Sequence, residues 1–499
     1  MDQNRRDFLK SAFWTSAAIA AASSKSARAA QTCCSGAAGS MMTYAAPPIK
    51  TLRVGVIGLG RGRTGVDNFT YIPGSYVSAI CDINAARRNR AIKFLKDHHA
   101  PQAKVYGDKG AEDWKRLCED PEVDLVYNAT PWELHVPIAL YAMKCGKHVA
   151  IEVPSAFTVD ECWELVKMSE KTKCHCMQLE NCCYGESELL AYNLCHLGLL
   201  GEITHGEAAY IHDQRDLQFK SDRYHTMDGE RIPAKAGKPG WTLHFYAQQC
   251  GNQYPTHGLG PVAKYMDINR GDNFDFLVSM ESKQASYRHY AHDLFDDWRK
   301  NFEVKIGDMS QTLIRTKLGR CILLQLDACT PRPYSRINLV SGTRGMAMGY
   351  PEFRVALEEK TGDGKAHKFM DESATAALRK KYAHPIWKAA GEVAKKVGGH
   401  GGMDFIMDLR WSYCLQNGLP LDTDVYDLAA WSSMVELTRR SVESGSRPVE
   451  CPDFTRGAWK TAKGFTIDEI DLSKLPGRFG DVKREKGVDE TARQEGFIS

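Results

Sequence analysis

Four side chains stand where proton transfer could be organised. His257 and Tyr254 lie in Gly251-Asn252-Gln253-Tyr254-Pro255-Thr256-His257-Gly258-Leu259-Gly260-Pro261, a run dense in glycine and proline around a phenol and an imidazole. Such a run fixes an irregular backbone, and a fixed loop is how a chain holds a reacting side chain in place. An imidazole, with an unperturbed pKa of about 6.5, exchanges protons near neutrality. Tyr184 closes the segment Gln178-Leu179-Glu180-Asn181-Cys182-Cys183-Tyr184-Gly185, although a tyrosine is equally at home in a core. Glu152 opens Glu152-Val153-Pro154, and Gly399-His400-Gly401-Gly402-Met403-Asp404-Phe405 repeats the glycine-rich character later.

A second kind of chemistry is written in Gly58-Leu59-Gly60-Arg61-Gly62-Arg63-Thr64-Gly65. A pyrophosphate needs backbone N–H groups with no Cβ in the way, at a helix N-terminus whose dipole favours anions. Gly58, Gly60, Arg61 and Gly62 are the candidates for that turn. Asp82, after the next apolar run, is suited to accept both ribose hydroxyls of NAD and to repel the extra phosphate of NADP. Arg63 occupies the third-glycine position of the Gly58 register, and Gly62 and Gly65 offer another register. Thr130, Trp132 and His135, in Asn128-Ala129-Thr130-Pro131-Trp132-Glu133-Leu134-His135, join Glu152 as further cofactor contacts.

The elements that position these residues follow from periodicity. Apolar runs at 53–57, 76–81, 104–106, 125–129, 148–151 and 176–179 alternate with helical stretches at 85–98, 135–145 and 159–173. Strand–helix–strand alternation predicts an α/β Rossmann domain, a doubly wound parallel sheet whose ligands sit at the carboxyl ends of the strands. Beyond residue 181 the pattern becomes strands at 203–211, 276–280, 302–306, 311–316, 320–326 and 337–340, with a hairpin at Lys317-Leu318-Gly319-Arg320. That predicts an α+β domain with a large, open, mainly antiparallel sheet, one face on helices and the other available to a second subunit. The expected divisions are 1–30 leader, 31–50 linker, 51–181 nucleotide domain and 182–499 substrate domain with a C-terminal tail.

The leader reads Asn4-Arg5-Arg6-Asp7-Phe8-Leu9-Lys10, then an alanine-rich stretch and Ala27-Arg28-Ala29. It resembles a twin-arginine (Tat) signal peptide, cleaved near Ala29, and is too short for a membrane span. Tat exports folded proteins with cofactor inside, so a periplasmic location with NAD already bound is expected. Composition (43% hydrophobic, 25% charged, net charge +3) carries no electrostatic footprint for nucleic acid. Sixteen cysteines are scattered through strand-like and helix-like runs, which reads as buried free thiols. Cys174-His175-Cys176 with Cys182-Cys183 lacks zinc spacing, so no metal is expected.

Thr-Pro-x-x-x-His and Glu-x-Pro loops resemble those of the glucose–fructose oxidoreductase and inositol dehydrogenase superfamily. There a lysine serves hydride chemistry where this chain has Val153. With the Tyr254–Pro261 run, Gly418-Leu419-Pro420-Leu421-Asp422 and Val425-Tyr426-Asp427-Leu428-Ala429-Ala430-Trp431-Ser432, nearly the whole chain resembles glycoside hydrolase family 109, the NAD-dependent α-N-acetylgalactosaminidases. The resemblance implies a sugar pocket lined by Glu152, Tyr184, Tyr254 and His257. It also implies Thr242 where the family carries a pocket arginine. NAD would take hydride from C3 of the sugar, the resulting ketone would acidify the C2 proton, and the aglycone would leave by elimination. Water addition and hydride return would close the cycle. His257 and Tyr184 are then the catalytic pair, at the C3 hydroxyl and at C2 respectively, or with roles exchanged. The alternatives are a periplasmic NAD-dependent sugar oxidoreductase, which would accumulate NADH, the same cycle on a different glycoside, and a non-catalytic sugar-binding module.

Overall fold

The computed structural model describes residues 39–219, 241–358, 367–462 and 470–479. The leader and the charged tail at 481–495 lie outside the described residues, as do Cys33 and Cys34. Described residues from Gly39 onward form one compact unit.

The first half builds as its apolar runs dictate. Strands β1 (Leu52–Ile57), β2 (Ser75–Cys81), β3 (Lys104–Tyr106), β4 (Leu125–Asn128), β5 (His148–Ile151) and β6 (Cys176–Gln178) form a parallel sheet ordered β3-β2-β1-β4-β5-β6. Helices α1 (Arg63–Tyr71), α2 (Ala85–Asp97), α3 (Trp114–Glu119), α4 (His135–Lys144) and α5 (Val159–Thr172) connect the strands. Their starts are chemically marked. Asn84 accepts from the Ala86 and Arg87 N–H groups at α2, and Thr158 with Glu161 forms a capping box at α5. The order reverses between β1 and β4, the switch point at which such sheets bind ligands.

The second half supplies an eight-stranded sheet ordered β13-β12-β11-β7-β10-β9-β8-β14. Its strands are β7 (Ile203–Ile211), β8 (Phe274–Glu281), β9 (Ser310–Thr316), β10 (Cys321–Asp327), β11 (Leu339–Gly342), β12 (Gly345–Met348), β13 (Arg354–Leu357) and β14 (Val449–Glu450). All its pairings are antiparallel except β7 with β10. The predicted hairpin at 317–320 joins β9 to β10, with Gly319 at φ +86°. The predicted strand at 302–306 does not form. Its Lys305 and Ile306 N–H groups both donate to the Tyr246 carbonyl, so no sheet ladder is left to make. Of the helices α6 (Glu186–His196), α7 (Thr256–Tyr265), α8 (Pro385–Val397), α9 (Met403–Asn417), α10 (Val425–Ser432) and α11 (Met434–Glu443), α7 and α11 pack on this sheet, whereas α10 packs on α5 and β6 of the nucleotide half. α7 packs on β7 and α9 on the α1 side of the nucleotide sheet, so both halves share one apolar core.

Candidate active site

The glycine turn is built as a dinucleotide turn, by a different glycine than the standard register names. Gly58 sits at φ +87°, and a Cβ there would lie 2.4 Å from the Ala129 carbonyl oxygen. A Cβ on Gly62 would lie 2.2 Å from the Gly58 carbonyl oxygen, so Gly62 supplies the close approach. Arg63 is free to differ because it points away from the turn, bonded to Asp67 and stacked over Phe94 of α2. Gly62 also caps α1, and no side chain closes that helix start, whose dipole favours an anion.

Asp82 is buried, one oxygen accepting from the Leu59 N–H and the other from the Asn84 N–H, each at 2.7 Å. It therefore braces the turn from below, and each oxygen keeps a lone pair for a ribose hydroxyl. Nothing in this cradle conflicts with NAD.

Arg61 leaves the turn toward the second half. Its guanidinium reaches Asp404 at 3.0 Å and Glu152 at 3.3 Å, and approaches His400 at 3.4 Å. Asp404, at the start of α9, also accepts from Asn181 at 2.5 Å and faces His400 Nδ1 at 2.9 Å. Burial alone would raise the Asp404 pKa. Arg61, His400 and Asn181 outweigh it and hold the carboxyl far below the usual range. Glu152 goes the other way: burial raises its pKa, with Arg61 only partly offsetting.

The second centre is His257, near the start of α7. Its Nδ1 lies 2.7 Å from Glu180 Oε1, and its Nε2 lies 3.4 Å from the Tyr254 hydroxyl. Glu180 is 1% exposed. Burial works to raise its pKa, yet His257 and a hydrogen bond from the Cys182 N–H keep it below the ordinary value. A buried carboxylate behind an imidazole fixes the ring orientation. Tyr254 is pushed well above its ordinary pKa by burial, with Tyr210, Glu152 and Glu180 adding. Glu180, Cys182 and His257 offer ligand atoms within 4.8 Å of one another. The Glu180–His257 contact is a hydrogen bond, and the Arg336 cation donates to Cys182 Sγ, so this set reads as a proton dyad beside a thiol.

Two expected site residues turn elsewhere. The Tyr184 phenol lies beside Asp422, Cys183, Thr423 and Cys414 in the core, and burial drives its pKa well above 10. His135 is buried between the Thr130 carbonyl (2.8 Å) and the Pro154 carbonyl (2.9 Å), and burial lowers its pKa to about 4. It ties the two strand-end loops together, with both ring nitrogens against backbone carbonyls. Trp132 donates to the Val153 carbonyl at 3.2 Å and packs with Phe157, Phe245 and Tyr254, while the Thr130 hydroxyl donates to Asn128. Thr242 is buried, and its hydroxyl has no hydrogen-bond partner. Glu180, Asn181 and Asp404 were not singled out from the sequence. Each stands inside a glycine-rich or strand-end segment that was.

Comparison with known proteins fits this division. The profile "Oxidoreductase family, NAD-binding Rossmann fold" matches residues 52–179. "Glycosyl hydrolase 109, C-terminal domain" matches residues 184–461. The chain belongs to glycosyl hydrolase family 109. Family 109 relatives include "Glycosyl hydrolase family 109 protein 1" of Bacteroides fragilis, 46% identical over 430 residues, covering 84% of this chain and 88% of the relative. "Alpha-N-acetylgalactosaminidase" of the same species is 44% identical over 420 residues, covering 83% and 95%. Among solved structures, levoglucosan dehydrogenase with NADH and levoglucosan aligns at TM-score 0.59 and 18% identity, covering 81% of this chain and all of that one. An oxidoreductase domain protein from Kribbella flavida aligns at TM-score 0.60 and 16% identity, with the same coverages. These likenesses show an oxidoreductase fold under a family 109 glycoside hydrolase with an NAD-binding domain.

The cysteines among the described residues are free thiols, most of them buried. No helix among the described residues is long and apolar enough to cross a membrane.

Proposed function

We propose that this family 109 hydrolase removes terminal α-N-acetylgalactosamine residues by oxidation, elimination, water addition and reduction at the His257 centre. Family membership, a relative named for that activity, and the Glu180–His257–Tyr254 array beside an NAD cradle support this reading. The carrying observation is the His257 dyad: an imidazole backed by a buried carboxylate is built to move a proton, which a module that only binds sugar does not need. Bound NAD would supply a hydride acceptor for C3 and return the hydride at the end.

The chain's own residues do the rest. Gly58, Gly60, Arg61, Gly62 and Asp82 hold the dinucleotide. Thr130, Trp132 and His135 shape the loop over it. His257 takes the C3 hydroxyl proton, with Glu180 holding the ring and Tyr254 hydrogen-bonding to the same oxygen. The C2 proton passes to Glu152, whose burial raises its basicity and which faces Arg61 at the cofactor loop. Tyr184 keeps a packing role under the site, because a phenol enclosed next to Asp422 resists ionisation.

Hydrolysis of 4-nitrophenyl α-N-acetylgalactosaminide in D₂O, without added NAD, tests the proposal. Deuterium at C2 of the released sugar is expected, whereas full retention of the C2 proton removes the elimination route. Accumulating NADH would favour the sugar oxidoreductase alternative.

Location and assembly belong to the same proposal. The leader sends the folded, NAD-loaded protein to the periplasm, and changing Arg5 and Arg6 to Lys should block export, since the pair is read as guanidinium. A second copy covers the outer face of the eight-stranded sheet. Leu313 (58% exposed) pairs in register there with Val278 and Leu323, near Met280 (57% exposed). Leu313→Lys should shift the mass in light scattering from dimer to monomer.

A further inference from the structure

The glycine-rich turn between α8 and α9 is not used by the chemistry above, and its backbone is costly. Gly398, Gly399, His400, Gly401 and Gly402 run consecutively through positive φ, at +94°, +76°, +47°, +71° and +100°. A histidine in the left-handed region is uncommon, and such strain persists where the surrounding structure over-determines it. The turn closes over Asp404. A Cβ at Gly399 would lie 2.9 Å from Asp404 Oδ2, and one at Gly402 would lie 2.8 Å from the Ala394 carbonyl carbon. Glycine lets the backbone fold this tightly around a buried carboxylate, and His400 Nδ1 then meets it at 2.9 Å.

What that carboxylate holds is Arg61, a residue of the dinucleotide turn. Each nitrogen of the guanidinium is engaged. Nη2 donates to Asp404 at 3.0 Å, Nη1 donates to Thr64 of α1 at 2.8 Å, and Nε faces Glu152 at 3.3 Å. One side chain thus ties the phosphate turn to α1, to the loop after β5 and to the first turn of α9 in the other half. A buried ion pair is weak evidence for stability, because apolar residues of similar volume often serve packing as well or better. Its place gives this pair another use. A pyrophosphate held by the backbone of residues 58–62 leaves when that turn gives way, and the turn cannot shift without breaking the tie to Asp404.

We propose that Asp404, presented by the 398–402 turn, is a positioning residue that acts through Arg61 to latch the dinucleotide turn, so that bound NAD leaves slowly. The inference rests on NAD binding at residues 58–62 and on no step of the cleavage cycle, so it stands or falls apart from the glycosidase reading. Its test follows, by mass spectrometry, the replacement of NAD in purified holoenzyme by an excess of isotope-labelled NAD. Wild type, Asp404→Asn, Arg61→Gln and the double variant are compared. Each single variant should exchange about tenfold faster than wild type or more. The double variant should exceed the faster single by no more than about threefold, because both changes break one tie. Effects that multiply to about 100-fold overturn the latch, since they make the two residues independent. Exchange within about twofold of wild type in Asp404→Asn overturns it as well. Slower exchange in that variant does the same, as an arginine freed to serve the phosphates would hold NAD more tightly. Wild type purified without NAD, or exchanging it at once, has no latch. Should Asp404→Asn fail to fold, His400→Gly takes its place: it relieves the left-handed position and withdraws one partner of Asp404. Exchange about threefold faster, with the melting temperature kept, is then expected, and unchanged exchange overturns the proposal.

Discussion

Two segments of this chain are spelled alike, an aromatic residue followed three positions later by histidine, each at the start of a helix. They are Trp132-Glu133-Leu134-His135 and Tyr254-Pro255-Thr256-His257. The two aromatic rings even meet, at 6.2 Å between centroids. The histidines do opposite things. His135 sits between two backbone carbonyls, where a neutral ring donates one proton and stays uncharged. His257 has a carboxylate behind one nitrogen and a hydroxyl in front of the other. The first is a strut and the second a proton carrier. Partners that come from elsewhere in the chain, and not the local spelling, divide them.

The largest expected effect breaks the comparison directly. His257→Ala should lower glycoside cleavage by about 10³-fold or more while the purified protein keeps its NAD. His135→Ala should do the reverse, losing NAD and thermal stability while the NAD-loaded fraction still turns over. Similar behaviour of the two variants, in mass-spectrometric NAD content and in kcat, would erase the distinction between strut and carrier.

Glu180→Gln tests why His257 differs. It keeps the shape and removes the charge, so kcat should fall by about 10², and the acid limb of the pH profile should move. A loss confined to thermal stability would make Glu180 merely structural.

The pH dependence of stability sharpens the strut side. Burial lowers the His135 pKa to about 4, below an unfolded value of about 6.5. Between those values the unfolded chain binds a proton that the folded one refuses, so stability is full above the unfolded value and falls as pH drops from about 6.5 toward 4. His148 and His175, lowered by burial to about 4 and about 3, steepen the same slope. His135→Gln should flatten it in part, so its melting temperature changes less than that of wild type between pH 7 and pH 5.

The smallest effect concerns the two tyrosines. Tyr254→Phe removes the hydroxyl that faces His257 and should cost about tenfold in kcat. Tyr184→Phe should cost less than about threefold, with Glu152→Gln instead losing about 10². A loss of about 10² in Tyr184→Phe would return the C2 proton to that phenol.

The nucleotide half was legible almost residue by residue. Its central strands β1, β4 and β5 are apolar runs buried on both faces, and its turn must be glycine wherever a Cβ would strike backbone, as at Gly58 and Gly62. The second half was legible in type but not in full. β12, β13 and the two-residue β14 are too short for alternation to announce them, and 302–306 has strand composition without a strand to pair with. In the site, His257 and Tyr254 were found from their unusual loop. Tyr184 has the same prominence in sequence, yet its phenol points into the core.

By itself the sequence determined which residue types were available and which turns they could make: a phosphate cradle at 58–62, an acid beneath it at Asp82, an imidazole on a rigid loop at 257. Those are local properties, set by sterics and hydrogen bonding within a few residues. Only the tertiary structure decided who stands behind each group. Glu180 is 77 residues from His257, and Asp404 is 343 from Arg61. Whether a buried imidazole serves as strut or proton carrier depends on the charge brought against it, and that charge arrives from distant strands and helices.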